Sequence, residues 1–472
     1  MTLSLSPADV AVILLFVGLI LALGFSAKLR DSGAFQFLTA GRALTLPVFV
    51  ATLVSTWYGG ILGIGESVGF YGIGTWLLLG VPYYVFAAIY AIFFAKKVRN
   101  AEEITLPELL ADRFGRTSGL VAAGLVFLLA VPAAHVLMLG TLTELITGWP
   151  HAVSVVVAGV VGSLFLYRGG LLADVRIGAV AFIAMYLGFL VIVGWCLTYH
   201  PWPETAARLQ AKGSMDFLGG QGPLAILSFF ILGAWTLVDP GFHQRVASCK
   251  DAATGQRGVF WAIGCWFVFD VLTITAGLYG LDLLRPQPAS GLQLFPALGN
   301  QVLPPGLKGL FLCGLIGTVL SAFVGYLLVS GGTFGREIVA RLQPKASAGL
   351  WSRIGIGVGL CVAIPLALSV ESVVALWYSW AGAVVGALLI PVAIAYLAKN
   401  RRIGALWVAA SMILSFGVAF GWLIAGLRTN NPFLEVSMMG QKFGLGTLVP
   451  GVVVSAAVLG IGALASKKEL EQ

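Results

Sequence analysis

The chain has 472 residues, 59% of them hydrophobic and only 10% charged, with a mean hydropathy of +0.96, where a soluble protein has roughly 45–50% apolar and about 25% charged residues. That balance excludes an ordinary soluble domain. Continuous apolar runs about 20 residues long suit membrane-crossing helices and exclude a β-barrel, whose strands alternate polar and apolar positions.

Apolar runs between charged residues and Gly or Pro breaks predict thirteen spans, at 8–27, 44–70, 73–95, 117–147, 151–167, 177–199, 222–243, 258–284, 306–335, 354–370, 373–398, 403–427 and 446–465. The first has no small-residue cleavage site and runs straight into Lys28 and Arg30, so it reads as a retained helix and not a signal peptide. The second is interrupted by Ser55-Thr56-Trp57-Tyr58-Gly59-Gly60 and then by Gly63, Gly65 and Gly69. Such a stretch opens a helix at bilayer depth only where protein or a water-filled cavity satisfies its backbone groups; the alternative is close helix packing on small residues. The span 222–243 breaks in the same way at Asp239-Pro240-Gly241. Two broken helices in corresponding places of two halves are the mark of a secondary transporter.

The net charge of +8 is explained by position. With the N-terminus outside, only Arg208, Lys212, Arg285, Lys308, Arg428 and Lys442 fall on outer connections, and the other 22 of the 28 Lys and Arg face the cytoplasm. That asymmetry places a multi-pass protein in the cell's inner (plasma) membrane with a cytoplasmic C-terminus. The basic excess therefore reports inner-face loops of a protein set in the lipid bilayer and gives no support to a nucleic-acid partner. No obligate protein partner and no organic cofactor are evident. Cys196, Cys249, Cys265, Cys313 and Cys361 lie in or beside apolar spans without a CxxC pair and read as small packing residues. Gly65-Glu66-Ser67-Val68-Gly69 matches the spacing of a hydrolase nucleophile elbow, but that motif needs a strand-to-helix turn. There is no H-E-x-x-H and no phosphate loop, so neither an enzyme nor an ATP-driven pump is expected.

Six stretches, in order, carry a resemblance over most of the chain: Phe37-Leu38-Thr39-Ala40-Gly41-Arg42; Gly63-Ile64-Gly65 with Tyr71-Gly72-Ile73-Gly74; Thr105-Leu106-Pro107-Glu108 through Phe114-Gly115; Tyr167-Arg168-Gly169-Gly170-Leu171; Gln244-Arg245-Val246-Ala247; and Gly309 to Glu337. The sequence resembles the sodium:solute symporter family, that of the bacterial proline, pantothenate and sialic acid transporters and the sodium–glucose cotransporters. The resemblance implies an all-α polytopic membrane protein of the LeuT-type fold, a single transporter domain over 1–472. Its inverted five-helix repeats would span 44–200 and 222–398, with one extra helix at 8–27 and two at 403–465.

The resemblance also implies a sodium ion between the broken first core helix and the eighth. Its ligands would be carbonyls matching Ser55, Tyr58 and Thr318 and two hydroxyls matching Ser321 and Ala322. Oxygen ligands suit a hard cation. The sequence departs from the family twice. One hydroxyl is lost at Ala322, and the family's Thr-Asp-x-x-Gln reads Ile177-Gly178-Ala179-Val180-Ala181, without any of its polar members.

Ionisable residues inside spans are costly and usually face a bundle interior or a pathway. Glu66 and Asp239, on the two broken helices, are the first candidates for substrate or proton contact, with capping of the break as the alternative for Asp239. Glu144 and Asp270 are expected to make structural hydrogen bonds. His135, next to Pro132, is expected to face the cavity, and His243 to be interfacial. Of the aromatics Trp57, Tyr58, Phe70, Tyr71, Trp235 and Phe242, the choice for the cavity is Trp57 and Trp235. The function expected is import of a small organic solute by alternating access with sodium as coupling ion. Proton-coupled or uncoupled transport, and a solute sensor or receptor, are the alternatives.

Overall fold

The computed structural model describes residues 2–28, 33–398, 403–428, 434–438 and 441–471. Of the basic residues assigned to inner connections, Arg30, Lys399, Arg401 and Arg402 lie outside them. Twelve described helices are long and apolar enough to cross a membrane. The helix expected at 151–167 forms, but as His151–Ser163 it has only 13 residues, short of the roughly 20 that a bilayer requires.

In chain order the helices that build and flank these spans are α1 (Pro7–Ser26), α2 (Leu46–Trp57), α3 (Ile61–Tyr71), α4 (Trp76–Phe93), α5 (Leu106–Ala130), α6 (Ala133–Thr147), α7 (His151–Ser163) and α8 (Leu166–Tyr199). They continue as α9 (Pro223–Leu232), α10 (Pro240–Ala247), α11 (Ala252–Leu283), α12 (Leu307–Gly332), α13 (Ala348–Ser369), α14 (Val373–Leu397), α15 (Ala405–Arg428) and α16 (Leu448–Glu471). A hairpin of β1 (Leu434–Met438) and β2 (Gln441–Leu445) sits between α15 and α16. It falls in a stretch read from the sequence as an outer loop.

Both expected breaks are present. The helix α2 gives way to a tight turn at Tyr58–Gly60 before α3, and α9 ends in a tight turn at Gly233–Leu237, after which Asp239 caps α10. Sequence reading missed a third. One span was expected over 117–147, but α5 ends at Ala130 and α6 restarts at Ala133. Pro132 has no N–H to give and pushes Val131 into an extended conformation, with ψ 116°.

The helix α12 is the centre of the molecule. Its apolar window is 94% buried, against 22% for α1 and 28% for α16, and it packs along α8, α13, α1, α2 and α6. Asp9 ties the outer helix to it: Oδ2 completes a capping box with Ser6, and Oδ1 accepts from Gly306 N and Gly309 N at 2.8 Å each. A buried carboxylate in α1 is thereby satisfied entirely by backbone and hydroxyl donors.

Candidate functional site: a cavity where irregular helices meet

The interruptions of the helices converge on one cavity. Its wall takes Thr56, Trp57, Tyr58 and Gly60 from the α2–α3 break, Val131 to His135 from the α5–α6 break, and Trp235 from the turn after α9. Trp377, Trp380 and Ala381 add a π-helical turn inside α14, a local widening frequent at functional sites. Regular helices supply Tyr83 and Tyr84, Trp266 and Asp270, and Tyr326. The empty volume is about 1170 Å³ including its open mouth, which is ample for a small organic solute.

Two carboxylates set the geometry of the wall. Asp239 is buried and accepts from Phe242 N at 2.6 Å, from Tyr326 Oη at 2.6 Å and from Trp235 Nε1 at 3.1 Å. It therefore starts α10 and also fixes two rings of the wall, so the capping role and the cavity role coincide in one side chain. Asp270 is itself on the wall and accepts from Tyr84 Oη. A Cβ at Gly80 would stand 2.7 Å from Asp270 Oδ2, so a side chain there would press on the carboxylate.

The other sequence candidates separate. Trp57, His135 and Trp235 line the cavity. Glu66 is not on its wall: Oε2 accepts from Val373 N and Val374 N at 3.1 and 3.2 Å, at the start of α14. Phe70 is exposed, Tyr71 packs on Phe229, and Phe242 is buried against Trp57 and Tyr90. His243, expected to be interfacial, is 2% exposed. Its Nε2 bonds Leu237 O at 2.9 Å, and its ring stacks on Tyr396, because α10 enters the bundle and does not skirt it. Glu144 pairs with His151 at 2.7 Å.

Beside the cavity, α12 packs on α2 and on the Tyr58–Gly60 turn. Ser321 Oγ lies 3.0 Å from Ser55 Oγ and 3.4 Å from Thr56 Oγ1. Gly59 abuts Ala322, and Thr318 Oγ1 bonds back to Gly314 O at 2.6 Å. Ser55, Thr318 and Ser321 are fully buried and Tyr58 nearly so. A Cβ on Gly178 of α8 would stand 3.2 Å from Ser55 Oγ and 3.3 Å from Ser321 Oγ, so Gly178 adjoins this cluster. One turn earlier, Asp174 forms a fully buried ion pair with Arg245 at 2.7 Å, and Arg245 also donates to Thr56 Oγ1 at 2.7 Å. Hydroxyl and carbonyl oxygens are donors that fit a hard monovalent cation.

The family model described as "Sodium:solute symporter family" matches residues 37–413. The chain belongs to the sodium:solute symporter family. The uncharacterized symporter YwcA of Bacillus subtilis is 24% identical, the alignment covering 90% of each chain. The uncharacterized symporter YidK of Escherichia coli is 25% identical over 78% of this chain and 70% of that one. A substrate-bound, outward-open sodium-coupled sialic acid symporter superposes with a TM-score of 0.80 at 13% identity, covering 98% of both chains. The nucleobase-cation symporter Mhp1 superposes at 0.58 with 15% identity. The fold is the LeuT type. The protein is a multi-pass membrane protein of a symporter family, consistent with a role in transport and not in catalysis.

Within this symporter fold, the sequence named Asp270 only for a structural hydrogen bond and did not single out Tyr326, Tyr83, Tyr84, Trp266 and Trp377 as cavity residues. They sit in spans whose patterning is apolar throughout, where no periodicity separates a cavity face from a packing face. Pro132 was the one available signal for the third break.

Proposed function

We propose that this protein imports a small organic solute by alternating access around the cavity, with sodium as the coupling ion. The observation that carries the reading is the convergence of the α2–α3 and α9–α10 breaks on one cavity, next to the oxygen cluster between α2 and α12. Ser55, Tyr58 and Thr318 by their carbonyls and Ser321 by its hydroxyl would hold the ion. Its charge, when bound, would draw the break of α2 against α12. The family's sodium coupling and the sodium-coupled sialic acid symporter of the same fold support this assignment. Trp57, His135 and Trp235 would contact the solute directly, Asp239 would hold Trp235 in position, and Glu66 would fasten α3 to α14. The division into inverted repeats at 44–200 and 222–398 and the N-out orientation belong to the same proposal.

A second reading, with proton coupling or none, is favoured by Ala322, Gly178 and the donation of Arg245 to Thr56. These replace two potential sodium ligands and bring a fixed cation close to the cluster. Uptake into proteoliposomes with and without an imposed inward sodium gradient separates the readings. Accumulation that requires the gradient is expected. Equilibration without accumulation would indicate a facilitator, and solute binding without flux a sensor.

A further inference from the structure

The wall of the cavity has an uneven chemistry. Nine of its residues are Trp or Tyr, Asp270 is its one carboxylate, and no Lys or Arg contributes to it among the described residues. Asp270 is 5% exposed and takes part in no ion pair among the described residues. Its bond from Tyr84 is donated by a neutral hydroxyl. A carboxylate removed from water without a cationic partner is expensive unless something supplies the charge. The faces of Trp and Tyr rings carry the negative end of the ring quadrupole and attract cations. Two of the rings, Trp235 and Tyr326, donate to the carboxylate of Asp239, and a hydrogen bond to an anion polarises the donor toward a more electron-rich ring.

We propose, taking the cavity as the solute site, that the transported solute is a small organic cation, an ammonium-type group set against the rings with Asp270 as its counter-charge. An acid finds no basic side chain on this wall. A sugar needs many hydrogen-bonding groups, and those of Tyr58, Tyr84, Trp235 and Tyr326 are already committed within the protein. Trp266 Nε1 and His135 Nδ1 are buried in cavity residues and have no partner among the described residues. They suit one polar substituent on an otherwise apolar cation, such as a hydroxyl or a carbonyl.

The full chain in nanodiscs tests this with choline and 3,3-dimethylbutan-1-ol, which share a shape and differ by one charge. Quenching of tryptophan fluorescence and thermal stabilisation report the binding of either. Choline is expected to bind more than about tenfold tighter than its neutral isostere. Asp270→Asn is expected to abolish that preference. Equal binding of the two by the native chain overturns the proposal, whether or not the variant folds. So does failure of both choline and tetramethylammonium to bind, or a preference that survives Asp270→Asn. Accumulation of an anionic or neutral solute, without cation binding, would refute the cation class and leave the transport reading intact. Cation binding without flux would do the reverse.

Discussion

At the scale of single residues, the oxygen cluster and the ion pair beside it make separable demands. Ser321 is the one side-chain hydroxyl of α12 that meets Ser55 and Thr56. Ser321→Ala should therefore raise the sodium concentration needed for half-maximal uptake. Ala322→Ser should lower it by supplying a second hydroxyl, whereas Ala322→Thr adds a further methyl at a position packed tightly on Gly59 and should cost stability as overpacking does. Sodium dependence that moves in neither Ser321→Ala nor Ala322→Ser would remove the ion from this position. The pair Asp174–Arg245 is fully buried, so Asp174→Asn, which leaves a guanidinium uncompensated, should cost roughly 3–5 kcal/mol. Replacing both partners by apolar residues should cost less than the sum of the single changes, because no unpaired charge remains. A double-mutant cycle on thermal unfolding in detergent checks this. The sequence made Arg245 visible only as part of a motif. Its partner one turn before Gly178 needed the helix phase of α8 relative to α10, which a uniformly apolar span does not encode.

At the scale of elements, the breaks are the most legible features, because Gly and Pro in an apolar run act on the local backbone alone. The cluster at Tyr58–Gly60 falls where α2 stops and Asp239–Gly241 where α10 starts, and Pro132 lies at the third break, although Pro365 and Pro391 sit inside continuous helices. The contacts made across the breaks were not legible. Glu66 was singled out as an intramembrane carboxylate for substrate or proton contact, yet its partners are the first amides of α14, more than 300 residues away in the chain. Those amides are the orphan donors of a helix start, and a carboxylate there acts as cap and counter-charge to the helix dipole. Glu66→Ala should therefore destabilise the protein by about 1–3 kcal/mol and loosen α3 from α14. Glu66→Gln, which keeps an acceptor oxygen, should lose less. A cysteine at Ile64, on the cavity side of α3, should react faster with an impermeant thiol reagent in the alanine variant. Unchanged reactivity and stability would show that the capping bonds contribute nothing to holding α3 against α14.

At the scale of the whole molecule, composition alone reached the membrane class, and the ordered motifs reached the symporter fold, because hydropathy is summed over spans and tolerates errors of several residues at each end. The cavity was legible only at Trp57, His135 and Trp235, since its other walls come from helices brought together by tertiary packing. Orientation follows from charge and can be checked directly. In a Cys-free background, a cysteine at the exposed Lys345 should be labelled only from the cytoplasmic side and one at the exposed Lys212 only from outside; the reverse pattern would invert the assigned topology. The coupling ion is the remaining property of the molecule as a unit. Asp239 and Glu66 are each occupied by hydrogen bonds that hold helices together, and the oxygen cluster lies apart from both, between α2 and α12. If sodium at that cluster drives transport, an inward sodium gradient should produce accumulation at equal pH on both sides, and Glu66→Gln should still accumulate solute. If protons drive it, a pH gradient without sodium should suffice. Glu66→Gln or Asp239→Asn should then abolish accumulation while solute exchange, which needs no net proton movement, continues. Accumulation under the pH gradient alone, lost in either variant with exchange intact, would replace sodium by the proton.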